Sequence, residues 1–133
     1  MREKVKRFLN DFEKAFKNLK IAVEESVDDL DIDGSIKRFE LCYELSWKLI
    51  KEYLADKGIV SHNNPKDTFK NAFANNLIDN EEPWLKMIED RNCLVHTYTF
   101  EESRNIFERI KGSYVVSFNY LLETIKHGSE EDE

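Results

Sequence analysis

The stretch KRFELCYELSWKLIKEYL, Lys37 to Leu54, sets Phe39, Tyr43, Trp47, Ile50 and Leu54 at steps of three and four, with Ile36 just upstream. That period belongs to one face of an amphipathic α-helix. Lys37, Glu40, Glu44, Lys48 and Lys51 fall on the opposite face. They can form i,i+3 and i,i+4 pairs worth about 0.2–0.5 kcal/mol each, or they can wall a cleft that takes a substrate or a partner. Trp47 lies at the edge of the apolar stripe, where either the core or an interface can take it.

The same rhythm extends in both directions. Upstream, Val5, Phe8, Phe12, Phe16, Leu19 and Val23 mark a helix over roughly residues 2–28. The segment DLDIDGS breaks it, and Asp33 or Ser35 is placed to cap the next helix. Downstream, Gly58 is a C-terminal signal. Asn64 followed by Pro65 starts a short third helix to about Asn76, and a fourth begins near DNEEPW. Thr99 with Glu102 fits a capping box that opens the last helix at Phe100. Ile106, Ile110, Tyr114, Phe118, Leu121 and Ile125 carry that helix to about His127.

No segment alternates with period two. The expected fold is therefore all-α, an antiparallel up-and-down bundle of four to five helices, three long and two short. One domain spans residues 1–128, and 129–133 form a frayed acidic tail. With 41% hydrophobic and 12% aromatic residues, the chain can bury a core without metals or disulfides.

A net charge of −7 is the wrong sign for a broad nucleic-acid-binding surface. The charge is uneven, however. The first twenty residues carry seven basic and three acidic side chains, and the next acidic run begins at Glu24, which leaves room for a local basic site. Cys42 and Cys93 lie in no metal-ligand spacing and read as buried, reduced thiols of a cytosolic protein. No apolar run is long enough for a signal peptide or a membrane span, so a cytoplasmic protein is expected. Glycine-rich phosphate loops, G-x-S-x-G and zinc patterns are all missing, and His62, His96 and His127 are scattered, so no metal and no cofactor is expected.

One short stretch concentrates chemistry. RNCLVHTY, Arg91 to Tyr98, joins a guanidinium, an amide, an imidazole and a phenol at the end of the fourth helix. Asn92 and His96 are four apart and share a face. Arg91 lies five before His96, about 140° around and about 7.5 Å along an ideal helix, an offset that arginine is long enough to span. A guanidinium can hold a phosphate and an imidazole can move protons near neutral pH. With a ribose 2′-hydroxyl as nucleophile, the set could cleave RNA without a metal. An isolated R-x4-H is common, and spacing alone favours the plainer reading, in which Arg91 pairs with a neighbouring carboxylate while His96 closes a helix end.

RFELCYELSWKLIKEYL, then a proline and an A…LI segment, then W…M…RNCLVHTY, follow the order of a prokaryotic family of small helical proteins. Over about residues 4–126 the chain resembles the nucleotidyltransferase substrate-binding family, a HepT-like branch of the HEPN superfamily. The resemblance implies a homodimer that assembles with a minimal nucleotidyltransferase in a toxin–antitoxin-type pair. Related HepT proteins are metal-independent ribonucleases with the motif R-x4-H-x-Y, matched here by Arg91, His96 and Tyr98. Arg91 would then hold the scissile phosphate, His96 would move protons, Asn92 would orient one of them and Tyr98 would accept AMP from the transferase. Across a two-fold axis, two copies of the motif could share one cleft. The same resemblance admits a non-catalytic subunit that docks the transferase and presents a nucleotide or other substrate near Lys37, Glu40, Glu44 and Lys48.

Overall fold

Asp28 adopts extended backbone and its Oδ1 accepts from Asp31 N–H at 2.9 Å, so the second helix begins one residue later. Asp33 and Ser35 therefore lie inside that helix and cap nothing. The reason is local. Asp28 supplies the cap oxygen, Asp29 and Asp31 place negative charge in the first turn, and the turn formed there runs straight into the apolar stripe beginning at Ile32. Helix one accordingly stops at Glu24.

The computed structural model describes residues 1–131. Its helices are α1 (Glu3–Glu24), α2 (Asp29–Asp56), α3 (Pro65–Ala74), α4 (Glu81–Leu94) and α5 (Phe100–Arg109); a π turn over Ile110–Tyr114 leads directly into α6 (Val115–Glu131). Among the described residues there is no strand. The last helix passes His127, and Asp132 and Glu133, in the expected acidic tail, lie outside the described residues.

Three of the expected terminal signals hold. Gly58 takes φ +86°, and Ile59 N–H bonds back to Leu54 O at 2.9 Å, the left-handed close that glycine adopts without a Cβ penalty. Asn64 Oδ1 accepts from Asp67 N–H at 2.8 Å with Pro65 at the first helical position. Thr99 and Glu102 form the reciprocal capping box.

Ion pairs give the helix directions. Arg2 meets Asp56 at 2.8 Å and Lys4 meets Glu52 at 3.3 Å, so α1 and α2 are antiparallel. Arg104 reaches Asp29 at 3.2 Å, and a Cβ on Gly128 would collide with the Tyr53 hydroxyl. The continuous α5–α6 rod thus runs alongside α2 in the same sense and antiparallel to α1, to which Lys126–Glu13 ties it at 2.8 Å. The short α4 returns against that rod, with Asp90 opposite Arg109 and Cys93 opposite Glu102. The result is an up-down-up-down bundle whose third place is filled by α3 and α4.

Phe118 is the hub of the core. Its ring centroid lies 5.5–6.2 Å from those of Phe12, Phe16, Phe39 and Trp84, so one side chain joins α1, α2, α4 and α6. Trp47 is buried too, which settles its place at the edge of the stripe.

One charged residue sits in this core. Asp90 occupies the inward register of α4 with Trp84, Met87 and Leu94. Its Oδ2 accepts from Arg109 Nε at 2.8 Å and its Oδ1 from Arg109 Nη2 at 2.7 Å, while the Tyr114 hydroxyl also donates to Oδ2. Arg109 and Tyr114 are five residues apart, a spacing that would set them about 140° apart on an α-helix. The π turn between them closes i→i+5 and brings both onto the face that meets α4. Burial and the bond to Asp90 raise the Tyr114 pKa well above the usual tyrosine range, so it remains a donor.

Two predictions test this frame. Asp90→Asn keeps the volume but leaves the Arg109 cation without its counter-charge. Because Arg109 is partly exposed, a loss of about 2–4 kcal/mol is expected in urea unfolding; a loss under about 1 kcal/mol would show that the pair does not hold α4. Phe118→Ala should cost about 3–5 kcal/mol, as an emptied aromatic site does. A melting temperature within about 2 °C of the parent's would contradict its place as the hub.

Candidate functional site

Tying Asp90 inward fixes the rotation of α4 and so aims the next residue. Arg91 turns toward α2, where its Nε lies 3.5 Å from Glu40 Oε2. The side chains are 26% and 34% exposed, enough shelter for the charges to be felt. The Arg91 Nε is itself removed from solvent and has no hydrogen-bond acceptor, so Glu40 holds it by charge and leaves the donor unmet. Tyr43 is buried nearby, and its hydroxyl is pushed up to about 12 by that burial, with Glu44 adding to the rise and Arg91 opposing it.

The chain then leaves α4. Val95 is the C-cap, His96 N–H bonds to Cys93 O at 3.2 Å, and five residues separate the end of α4 from the start of α5. Glu102 staples this link at both ends. Its Oε1 accepts from Thr99 N–H at 3.0 Å, and its Oε2 accepts from the Cys93 thiol at 3.3 Å. The Thr99 amide holds the Glu102 carboxyl below the usual range, and the bond to that carboxylate raises the Cys93 thiol. Cys93 is therefore half-exposed and engaged, unlike Cys42, which is buried as expected and whose thiol is pushed up to about 12 by burial.

Between those anchors the reactive groups face outward. Asn92 and His96 are exposed, and Tyr98, 37% exposed, lines a shallow groove with Asp33, Thr99, Phe100 and Ser103. Among the described residues, no hydrogen bond or ion pair joins the side chains of Arg91, Asn92, His96 and Tyr98 to one another. The motif is a sheltered cation beside an open loop.

The polar face of α2 divides in two. Glu40 turns to Arg91, whereas Glu44 accepts from Trp47 Nε1 at 3.2 Å and pairs with Lys48 at 3.8 Å, leaving Lys37 exposed. Of the residues expected along this face, only Glu40 is brought into contact with the motif. A separate groove between α3 and α4, lined by Lys66, Glu82, Leu85 and Glu89 among others, includes none of them. Among the described residues, no three His, Cys, Asp or Glu side chains are grouped as they would be around a metal ion, and no helix is long and apolar enough to cross a membrane.

Spacing missed Asp90, Arg109, Tyr114 and the partnership of Glu40 with Arg91. A signal for the first was present: an acid at the inward position of an apolar stripe must find a donor. Nothing in the sequence pairs residue 40 with residue 91.

Comparison with known proteins completes the picture. Residues 7–127 match the family described as nucleotidyltransferase substrate binding protein like. The probable ribonuclease HepT of Haemophilus influenzae is 29% identical over 110 residues, which cover 80% of this chain and 75% of that protein. A Haemophilus influenzae structure reported to reveal the fold of a substrate binding domain of a nucleotidyltransferase superposes with a TM-score of 0.78 at 26% identity, covering 89% of this chain and 98% of that one. A tri-AMPylated HEPN toxin from Shewanella oneidensis, solved in complex with an MNT antitoxin, shares the fold with a TM-score of 0.78 at 19% identity, covering 96% and 99%. With nearly its whole helical bundle matched, the chain belongs to the nucleotidyltransferase substrate-binding protein family, and its bundle has the same fold as the HEPN toxin.

Proposed function

We propose that this protein is the HepT-like subunit of a toxin–antitoxin-type pair, a homodimer that assembles with a minimal nucleotidyltransferase and carries a metal-independent ribonuclease site at Arg91, Asn92 and His96. The observation that carries the reading is the division of the motif. The group suited to holding a phosphate is sheltered against α2, while those suited to reacting stand open to solvent on a stapled link. The 29% identity to a probable ribonuclease HepT supports the activity, and the Shewanella complex with its antitoxin supports the partner.

In this reading Arg91 binds the phosphodiester and stabilises charge developing on its oxygens. His96 takes the proton from a ribose 2′-hydroxyl, and Asn92 orients it. The 2′-oxygen bonds to phosphorus and the bond to the 5′-oxygen breaks. The products are a 2′,3′-cyclic phosphate and a 5′-hydroxyl, whose oxygen takes up a proton. Control falls to Tyr98: its hydroxyl attacks the α-phosphorus of ATP in the transferase, pyrophosphate leaves, and the attached AMP sets an anion beside the site.

A second reading draws on Glu40, which already neutralises Arg91 in the free chain. A non-catalytic subunit, presenting a substrate to the transferase in the cleft by Glu40, Glu44, Lys37 and Lys48, tolerates such an arrangement.

Purified unmodified protein should cleave a labelled RNA without added metal, and His96→Ala should lower the rate by at least about 100-fold while leaving the melting temperature unchanged, in line with loss of a general base. No cleavage of several RNAs by protein free of AMP would favour the presenting subunit. Co-production with the cognate transferase should add the mass of one or more AMP groups to the chain. Tyr98→Phe should abolish that addition, and its persistence in the variant would remove Tyr98 from the scheme.

A further inference from the structure

Arg91 offers a single sheltered guanidinium to an incoming phosphate, and a carboxylate stands beside it. We infer that Glu40 makes this a site for internal phosphodiesters over terminal phosphates, a specificity that rests on the ribonuclease reading of Arg91.

Charge separates the two kinds of phosphate. An internal diester carries one negative charge, whereas a terminal monoester near neutral pH carries close to two. Any anion that reaches Arg91 approaches Glu40 as well, because Nε and Oε2 are 3.5 Å apart. Attraction to the guanidinium and repulsion from the carboxylate both grow with ligand charge. With the two so close they nearly cancel, and the second charge of a monoester gains little.

The neighbouring acid does not replace Glu40 in this role, since Glu44 is engaged by Trp47 and Lys48. Nor is Glu40 fixed by other bonds: among the described residues, Arg91 is its one ion-pair partner, and the unmet Nε shows that their contact is not a closed hydrogen bond. The carboxylate can therefore shift as a diester enters while its charge stays near. A site that takes internal linkages acts within a chain and discriminates against terminal monoesters.

The test compares two probes in the parent, Glu40→Gln, Glu40→Asp and Arg91→Ala proteins: a 2′-O-methyl dinucleotide with one internal diester, and a nucleoside 3′-monophosphate. Both are titrated at about pH 7.5, where the monoester is mostly dianionic. Reading each variant's ratio of affinities against the parent's removes the difference in probe size. Removing the carboxylate charge in Glu40→Gln should tighten the monoester by roughly tenfold and the diester by roughly threefold, the scale set by one unit charge at a partly exposed site. Glu40→Asp should keep the parent's ratio. An unchanged ratio in Glu40→Gln, with binding still dependent on Arg91, overturns this inference and leaves the ribonuclease reading standing. Binding of both probes that is indifferent to Arg91→Ala overturns that reading and this inference with it.

Discussion

Asp90 is the charge around which the bundle is arranged. Its carboxylate is only 5% exposed, and three donors from one continuous rod, two on Arg109 and one on Tyr114, satisfy it. A charge so removed from water persists only with its partners in place. The constraint runs both ways. It obliges the last helix to widen into a π turn, so that residues five apart face the same way, and it obliges α4 to present one particular side to the core. Every neighbour of Asp90 on α4 inherits its direction from that contact, so a structural ion pair sets the aim of the adjacent Arg91.

The site is built on contrasting stiffness. Arg91 leaves a regular helix and is confined by packing and by Glu40. His96 and Tyr98 ride on an open link whose ends are held by one glutamate. On the proposed reading that is a sensible division, since a phosphate anchor benefits from fixed position and a residue that must enter another enzyme's active site benefits from access. It also reconciles the overall charge of −7 with a nucleic-acid substrate. On that reading RNA is recognised through one local guanidinium and the balance of charges about it, where a basic protein would use a broad field.

Much of the frame was legible in the residues, and particular residues show why. The stripe from Ile36 to Leu54, the Asn64–Pro65 start and the Thr99–Glu102 box are local signals, each complete within a few positions, and they reappear in the structure as expected. The start of α2 was misplaced because Gly34 reads as a break, whereas Asp28 had already supplied a better cap and the helix carries the glycine in its interior. The π turn was missed since its cause lies across the bundle, in a carboxylate twenty residues earlier. Glu40 and Arg91 are fifty-one positions apart in the sequence, and no local pattern records their meeting. The residue types at Arg91 and His96 pointed to phosphate binding and proton transfer, the resemblance added roles for Asn92 and Tyr98, and the fold gives the four their unequal exposure.

The central claim is that Arg91 and His96 serve one ligand. Nuclear magnetic resonance tests it most directly, by following the Arg91 Nε–H and the His96 ring signals while a non-cleavable 2′-O-methyl oligoribonucleotide is added. Both should move together along one binding curve, with Tyr98 close behind. Saturation that shifts only signals elsewhere, such as the groove between α3 and α4, while Arg91 and His96 stay still, would contradict it.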